Sequence, residues 1–391
     1  MSRLLNRKRL SPLDMSKSQN VSELPPCYAR VHPGLEPVAA DEIEQELGGE
    51  VKRTGPGFVV FRLAEIDDSI LKLRTTEDVF LYAWGTDALT YRAADLDSIR
   101  RWTAREVDWP QLLRIHRSIR PKLKSRPTYH FVTQMTGEHG YLRKNAREAL
   151  AGALAGVFPD NWRYAEENAT LELWLTIHGK TAICGVRLSD RTMRHRTYKV
   201  EHQRASLRPT MAAAMVRLAE LRAGLVVVDP MCGAGTILAE ALVVLGESRQ
   251  PSTVVGGDID RGAVRLAMTN LRRLGRPTLC HWNAARLPLA DSSVDRIVSN
   301  PPFGKQLSSP AEVGRLYARV AAEYDRVLKS RGRAALIVSE FPLLRDAMRK
   351  FGWRTERTLR VRVLGQSAVI SVWRKPEQSA TILPNTPPSP D

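Results

Sequence analysis

The sequence contains few cysteines, and their spacing matches no common metal or disulfide pattern. The four cysteines in 391 residues are Cys27, Cys184, Cys232 and Cys280, which lie far apart and form no Cys-x-x-Cys pair. This spacing disfavours a zinc site and the disulfide framework of a small secreted domain. We therefore expect four reduced, mostly buried thiols and no structural metal.

Long apolar runs are absent as well, so the sequence offers no segment that could cross a bilayer. The basic start from Met1 to Leu10 is not followed by the apolar segment of a secretory signal. Asp14 and the lack of amphipathic periodicity argue against a transit peptide. Internal repeats, which would predict a solenoid, are also missing. These absences predict a cytoplasmic protein that does not enter a membrane.

Positive charge, in contrast, is abundant. The formal net charge is +17 and the isoelectric point is about 10.1, and the excess lies beyond residue 100. A single basic cluster is usually a solvated face, but several clusters in a strongly basic chain favour contact with a nucleic-acid backbone. The candidate RNA-binding residues are Arg114, Arg117, Arg120, Lys122, Lys124, Arg143, Lys144, Arg194, Arg196 and Lys199.

Hydrophobic periodicity divides the chain into two kinds of segment. Residues 26–94 and 95–190 each alternate short strands and helices as small α+β units, and Leu171–Ile177 and Thr181–Leu188 form the clearest hairpin. From residue 206 onward, short apolar strands alternate with helices, which predicts a doubly wound α/β domain. The predicted divisions are a disordered basic tail 1–25, two α+β domains 26–94 and 95–190, a linker 191–205, an α/β domain 206–375 and a disordered tail 376–391.

A glycine-containing loop follows the first strand of the α/β region, Leu225 to Asp229. The loop residues that we predict to bind a cofactor are Asp229, Met231, Cys232, Gly233, Ala234, Gly235 and Thr236. Glycines there permit a sharp turn and close approach of a ligand to the main chain.

The next strand ends at Asp258 and Ile259. A carboxylate at this place accepts hydrogen bonds from ribose hydroxyls, and an apolar neighbour can pack on a flat base. The three-glycine dinucleotide pattern and the Gly-Lys-Ser/Thr of triphosphate sites are both absent, which disfavours those ligands. S-adenosylmethionine has no phosphates and needs fewer backbone amides. A Gly-x-Gly loop taken alone is also compatible with an ordinary structural turn.

The tetrapeptide Asn300-Pro301-Pro302-Phe303 follows the predicted fourth strand of the same region. The prolines fix the main chain and offer no N–H, which leaves the Asn300 side-chain oxygen and the Pro301 carbonyl as acceptors. Two converging acceptors suit an exocyclic amino group and would aim its lone pair at a methyl group. Phe303 offers an apolar face on which a flipped-out base could stack. The alternative is a tight Pro-Pro turn with a buried phenylalanine.

These motifs resemble the class I S-adenosylmethionine methyltransferases, and more closely the THUMP-domain RNA guanine-N2-methyltransferases. The resemblance rests on DPMCGAGTILAEA (229–241), GDID (257–260) and NPPFG (300–304), and less specifically on RASLRPTMAAAM (204–215) and LSDRTMRHRTYK (188–199). It implies a Rossmann-like class I methyltransferase domain preceded by a ferredoxin-like domain and a THUMP domain. It also makes Arg208 and Thr210 candidates for cofactor contact.

The family usually has an aspartate after the third strand, where this chain has Asn283, followed by Ala284. The Asn283 oxygen can still accept from the adenine amino group, without charge. The resemblance further implies that the protein holds the acceptor stem and 3′ CCA end of tRNA, and we expect a monomer.

The expected reaction is methylation of a guanosine N2 in tRNA, with guanosine 6 of the acceptor stem as the expected target. Three alternatives stay open at this point: guanosine 10 of tRNA or a ribosomal RNA, adenine N6 in a nucleic acid, and a non-catalytic RNA-binding protein or folding factor. The intact tetrapeptide argues against the last.

Overall fold

The computed structural model describes residues 24–120, 126–159, 161–201, 206–246, 251–303 and 310–377. Lys122, Lys124, nearly all of both predicted disordered tails and part of the predicted linker lie outside these residues. Within the described chain, no helix combines the length and the apolar character that a membrane span requires.

The N-terminal half is built on one mixed sheet of eight strands. The strands are β1 (Cys27–Val31), β2 (Glu50–Gly55), β3 (Phe58–Arg62), β4 (Thr76–Thr86), β5 (Thr128–Thr136), β6 (Arg163–Tyr164), β7 (Leu171–His178) and β8 (Thr181–Arg187), in the order β2-β3-β1-β4-β8-β7-β5-β6. The helices are α1 (Glu36–Leu47), α2 (Asp95–Arg105), α3 (Trp109–Ile119), α4 (Arg143–Ala153) and the short α5 (Thr192–His195). The four helices α1, α2, α3 and α4 pack on one face of this sheet and form one hydrophobic cluster with its strands. Only alternate strand residues take part, because successive side chains of a strand point to opposite faces.

The two predicted α+β units meet inside this sheet. β4 of the first unit pairs antiparallel with β8 of the second, with Leu81 opposite Val186. No break in the sheet therefore marks the predicted boundary at residue 94, and the boundary positions stay predictions.

The C-terminal half contains a seven-stranded sheet. Its strands are β9 (Val226–Asp229), β10 (Thr253–Asp258), β11 (Thr278–His281), β12 (Val294–Ser299), β13 (Leu328–Val338), β14 (Arg354–Val363) and β15 (Gln366–Arg374), in the order β11-β10-β9-β12-β13-β15-β14. The helices are α6 (Pro209–Leu218), α7 (Thr236–Gly246), α8 (Arg261–Leu271), α9 (Pro310–Val327) and α10 (Phe341–Arg349). β9 to β13 run parallel, and β15 is antiparallel to β13 and β14.

Alternate residues of this sheet enter two separate cores. Val227 and Val298 pack with α6, α7 and α8, whereas Val228 and Ile297 pack with α9 and α10. Helices on both faces of a mostly parallel sheet confirm the predicted fold class, a Rossmann-like domain preceded by α+β structure. The strand order reverses between β9 and β12, and ligands of such sheets bind at that switch point, beyond the carboxyl ends of the strands.

Some elements differ from the sequence prediction. β2 and α2 were not predicted. The sequence pattern predicts a helix at Ile66–Leu73, where the structure has a short 3₁₀ turn at Asp68–Lys72. It also predicts a strand from Arg360 to Leu364, whereas β14 begins six residues earlier, at Arg354. β2 is half-buried only at every second residue, so its polar sequence carries little apolar alternation. α2 does place Ile99 and Thr103 on its buried side, but its many charged residues obscure that spacing.

The two halves pack against each other through α1 and through the buried Glu240 of α7. Leu35 and Val38 belong to the hydrophobic cluster of the C-terminal half. Glu240 accepts from Arg74 Nε at 2.7 Å and from Tyr198 Oη at 2.6 Å. The helix that follows the glycine loop is therefore tied directly to the N-terminal half.

Candidate active site

A cavity of about 430 Å³ lies at the switch point of the C-terminal sheet, within the size range of small-molecule sites. It is lined by Ser206, Leu207, Asp229, Pro230, Met231, Cys232, Gly233, Ala234, Thr236, Ile237, Asp258, Ile259, Asn283, Ala284, Asn300, Pro302 and Leu316. The cavity therefore brings together the glycine loop, the end of β10, the turn after β11 and the tetrapeptide after β12.

The glycine loop is held by backbone contacts to the end of β10. Cys232 N donates to Gly257 O at 2.9 Å, and Gly233 N donates to Asp258 Oδ2 at 2.9 Å. Gly235 has a φ of +81°, and a Cβ there would lie 3.1 Å from Ala267 Cβ. Gly235 therefore allows the tight approach of the loop to α8, although it does not line the cavity.

Two carboxylates stand at the cavity wall. Asp229 is 1% exposed and accepts from Ser299 Oγ at 2.7 Å and Met231 N at 3.2 Å. Burial, with a smaller contribution from the nearby Asp258 charge, raises the pKa of Asp229 to about 7. Among the described residues Asp229 has no cationic partner. A positively charged ligand would supply a counter-charge to the Asp229 carboxylate.

The turn after β11 forms the other side of the cavity. The Trp282 indole N–H donates to Pro230 O at 2.9 Å and so fixes this turn to the glycine loop. Asn283 is exposed, and its Oδ1 accepts from Ala285 N at 2.9 Å. Ile259 is 67% exposed at the cavity edge, where an apolar side chain of that exposure suits a flat ring.

The tetrapeptide begins directly after β12, so the end of this strand places Asn300 at the cavity. The Asn300 Oδ1 atom is buried and has no hydrogen-bond partner in the described part of the chain. A buried acceptor without a donor costs free energy unless a ligand supplies one. Asn300 is therefore suited to receive an N–H group.

Phe303 and Pro301 lie apart from the cavity lining. Phe303 is 7% exposed and belongs to the hydrophobic cluster that also contains Leu207 and Met211. Its side chain thus faces the protein interior, and its stacking on a base stays a prediction.

The predicted cofactor residues map closely to the cavity, with two exceptions. Gly235 lies behind the loop, and Thr210 is fully buried with its hydroxyl unpaired among the described residues. The cavity instead takes Ser206 and Leu207 from the segment before α6, and Leu316 from α9. Leu316 carries no sequence signal, because only the tertiary fold brings α9 to the site.

The predicted RNA-binding residues of the N-terminal half fall into two groups. Arg114, Arg117, Arg143 and Lys144 are exposed, and the Arg117 guanidinium lies 5.5 Å from the Trp162 ring centroid. Arg120 instead donates to Ser189 O at 3.2 Å. The exposed group is available to a polyanion, and its role stays a prediction.

The residues of the predicted linker make contacts within the chain. Arg194 lies 3.8 Å from Asp78, Arg196 pairs with Glu240 at 3.3 Å, and Lys199 Nζ donates to Leu207 O at 2.9 Å. Burial lowers the pKa of Lys199. These cations contribute to the junction between the two halves.

Comparisons with known proteins indicate the type of domain that carries this cavity. The family described as an RMKL-like methyltransferase domain matches residues 196–368. A tRNA (guanine(6)-N2)-methyltransferase of Thermus thermophilus is 29% identical over 327 residues, which cover 82% of this chain and 91% of that protein. A mouse U6 snRNA (guanine-N(2))-methyltransferase, THUMPD2, is 32% identical over 206 residues, which cover 50% of this chain and 37% of the mouse protein.

The crystal structure of TrmN from Thermus thermophilus superposes with a TM-score of 0.73 at 25% identity, covering 90% of this chain and 99% of that one. The chain thus spans nearly all of the bacterial relative but only about a third of the mouse one. Residues 196–368 thus match the model of the RMKL-like methyltransferase domain, and the similarity of the whole chain to TrmN extends over both halves.

Proposed function

We propose that the protein transfers a methyl group from S-adenosylmethionine to the exocyclic N2 of a guanosine in tRNA, with guanosine 6 of the acceptor stem as the target. The observation that carries this proposal is the buried Asn300 Oδ1, which has no hydrogen-bond partner among the described residues and lies at a cavity shared with the glycine loop. The choice of guanosine 6 is supported by the name of the Thermus relative.

The cavity fits the methyl donor. The loop from Asp229 to Thr236 would hold the amino-acid part, Asp258 the ribose hydroxyls, and Ile259 with Asn283 the adenine. The uncompensated carboxylate of Asp229 suits a ligand that carries sulfonium and ammonium charges. When bound, the donor supplies a methyl group that is electrophilic because its sulfur is positively charged.

The chain's own contribution to the reaction is orientation. Asn300 Oδ1 and the Pro301 carbonyl would accept the two N–H bonds of the guanine amino group and direct its lone pair at the methyl carbon. The N–C bond forms while the C–S bond breaks, its electron pair goes to sulfur, and N2 releases one proton to solvent. Alignment matters more than a strong base in such a displacement.

The N-terminal half would hold the tRNA. Arg114, Arg117, Arg143 and Lys144 are exposed there, and the Glu240 contacts fix this half against the catalytic domain. We propose that this half receives the acceptor stem and the 3′ CCA end, and so sets which nucleotide reaches the cavity.

The test is transfer from labelled S-adenosylmethionine to tRNA, followed by digestion to nucleosides. We expect label in N2-methylguanosine, mapped to guanosine 6, and a decrease in kcat of about 10²–10³-fold for Asn300→Ala. Asn283→Ala is the matched control, since its exposed amide lines the same cavity and we expect it to weaken only donor binding.

Other products would change the assignment. Label only in N6-methyladenosine would refute guanine as the target, and label at guanosine 10, in ribosomal RNA or in U6 snRNA would refute the acceptor stem. Full activity in Asn300→Ala would refute the role of that side chain.

A further inference from the structure

The catalytic half contains a strongly basic segment beside the cavity. Residues 261–290 include six arginines and neither aspartate nor glutamate. These residues follow Asp258 and Ile259 of the cavity lining, and they include Asn283 and Ala284. In the sequence, positive charge is thus concentrated between two segments that contribute to the cavity wall.

Two of these arginines lie on one face of α8, and Arg272, the C-cap residue directly after Leu271, continues that face in helical conformation. Arg261, Arg265 and Arg272 are all exposed, and spacings of four and seven residues place them on one side of a helix. Ala263 and Ala267 form the buried side. At 1.5 Å per residue the stripe extends for about 16 Å. We call Arg261, Arg265 and Arg272 the α8 arginine stripe.

The α8 arginine stripe lacks counter-ions among the residues that the structure describes. Within the described part of the chain, no ion pair involves any of its three arginines. Elsewhere in the same domain, Arg326 pairs with Glu323 at 2.8 Å and Arg333 with Glu220 at 2.6 Å. The catalytic domain therefore pairs several of its cations but leaves this row open to solvent.

α8 is also connected to both functional regions. The buried Asn270 accepts from Val200 N at 3.0 Å and Glu201 N at 2.8 Å, in the segment that arrives from the N-terminal half. The same side chain donates to Ala234 O of the glycine loop at 3.0 Å. Asn270 lies on the buried side of α8, so these bonds hold the helix against both regions while the arginines on its opposite side face solvent.

We propose that the α8 arginine stripe binds the phosphate backbone of the RNA substrate next to the methylated nucleotide. This rests on the proposed function for the identity of the polyanion. Guanidinium groups bind phosphate oxygens in bidentate geometry, and contacts to phosphate position a nucleic acid without reading its sequence. The stripe complements the exposed cations of the N-terminal half with a second contact beside the cavity.

The experiment compares two triple variants of the full-length protein. One is Arg261→Ala, Arg265→Ala and Arg272→Ala. The matched control, Arg349→Ala, Arg354→Ala and Arg362→Ala, removes the same charge from exposed arginines without an ion pair among the described residues, at or near β14 on the opposite edge of the sheet. tRNA binding is measured against salt concentration, and S-adenosylmethionine binding is measured separately.

We expect the stripe variant to raise the Kd for tRNA about tenfold to a hundredfold at 0.15 M salt and to reduce the log–log salt slope by about 2 to 3. The control should match the wild type, and donor affinity should be unchanged in both. Equal tRNA binding by the two variants would overturn the proposal, as would stripe-dependent binding to vesicles of anionic lipid but not to RNA.

The outcome is separable from that of the proposed function. If the wild type binds tRNA through the stripe but makes no N2-methylguanosine, the function fails and the surface stands. If the wild type methylates tRNA and the stripe variant binds tRNA as tightly as the control, only the proposed role of the α8 arginine stripe is refuted.

Discussion

Two buried aspartates, one in each half of the molecule, are compensated in different ways. Asp78 of β4 receives Arg187 Nη2 at 2.6 Å and Ser189 Oγ at 3.0 Å. Among the described residues Asp229 receives only neutral donors, and its pKa is raised to about 7. The N-terminal half neutralises its buried charge within the chain, whereas the catalytic half keeps an uncompensated carboxylate at its cavity.

This difference distinguishes a buried carboxylate that stabilises the fold from one that is suited to bind a ligand. A buried charge with a buried partner is compensated within the fold, and removal of one partner lowers the free energy of unfolding strongly. A buried carboxylate at a cavity, without a cationic partner in the chain, is a candidate site for a cationic ligand. Glu240 lies between these cases, because its cationic partner Arg74 comes from the N-terminal half, whereas Tyr198 belongs to the hydrophobic cluster of the C-terminal half.

The largest effect is expected for Asp78→Ala. The change leaves the buried Arg187 guanidinium without its main counter-charge, so we expect a loss of about 3–5 kcal/mol in the free energy of unfolding. Chemical denaturation measures it. Asp97→Ala in the same half removes an exposed pair with Arg100 and should cost less than about 1 kcal/mol. Similar losses of unfolding free energy in Asp78→Ala and Asp97→Ala would contradict the role of the buried pair.

The next largest effect is a pH dependence at Asp229. Its pKa is raised in the folded protein, so the neutral form stabilises the fold at low pH, and that contribution is lost as pH rises from about 4 to about 7. Asp229→Asn cannot ionise and should gain up to about 4 kcal/mol relative to the wild type over that range. Unfolding free energies measured from pH 4 to pH 8 test this, and a constant difference would contradict it.

The smallest effect is expected for Glu240→Gln. The amide keeps the shape but removes the charge that Arg74 and Arg196 share, so we expect a loss of about 2 kcal/mol. Glu46→Gln, whose exposed carboxylate pairs with Arg217 at 2.9 Å, should cost less than 1 kcal/mol. Thermal unfolding of both variants distinguishes them, and an unchanged transition for Glu240→Gln would argue against a tight junction.

Much of the site could be predicted because its residues are contiguous in sequence. The glycine loop, Asp258 and Asn300 each follow an apolar strand, and parallel strands end at the same edge of a sheet. Leu316 could not be found this way, because α9 reaches the cavity only through its packing on β12 and β13.

The N-terminal half was harder to predict. The pairing of β4 with β8 joins residues about a hundred positions apart, and local periodicity does not encode such contacts. The internal contacts of Arg196 and Lys199 were hidden for a related reason, since a cation next to other cations in sequence can still face an acid or a carbonyl in space.

The shared sheet also determines which fragments of the protein can exist separately. A fragment that ends at residue 94 would lose β8 and leave β4, eleven residues long and largely apolar, as an open edge. Long uncovered edges of this kind recruit other chains and aggregate. The two small N-terminal units are therefore best expressed, crystallised and exchanged between relatives as one piece.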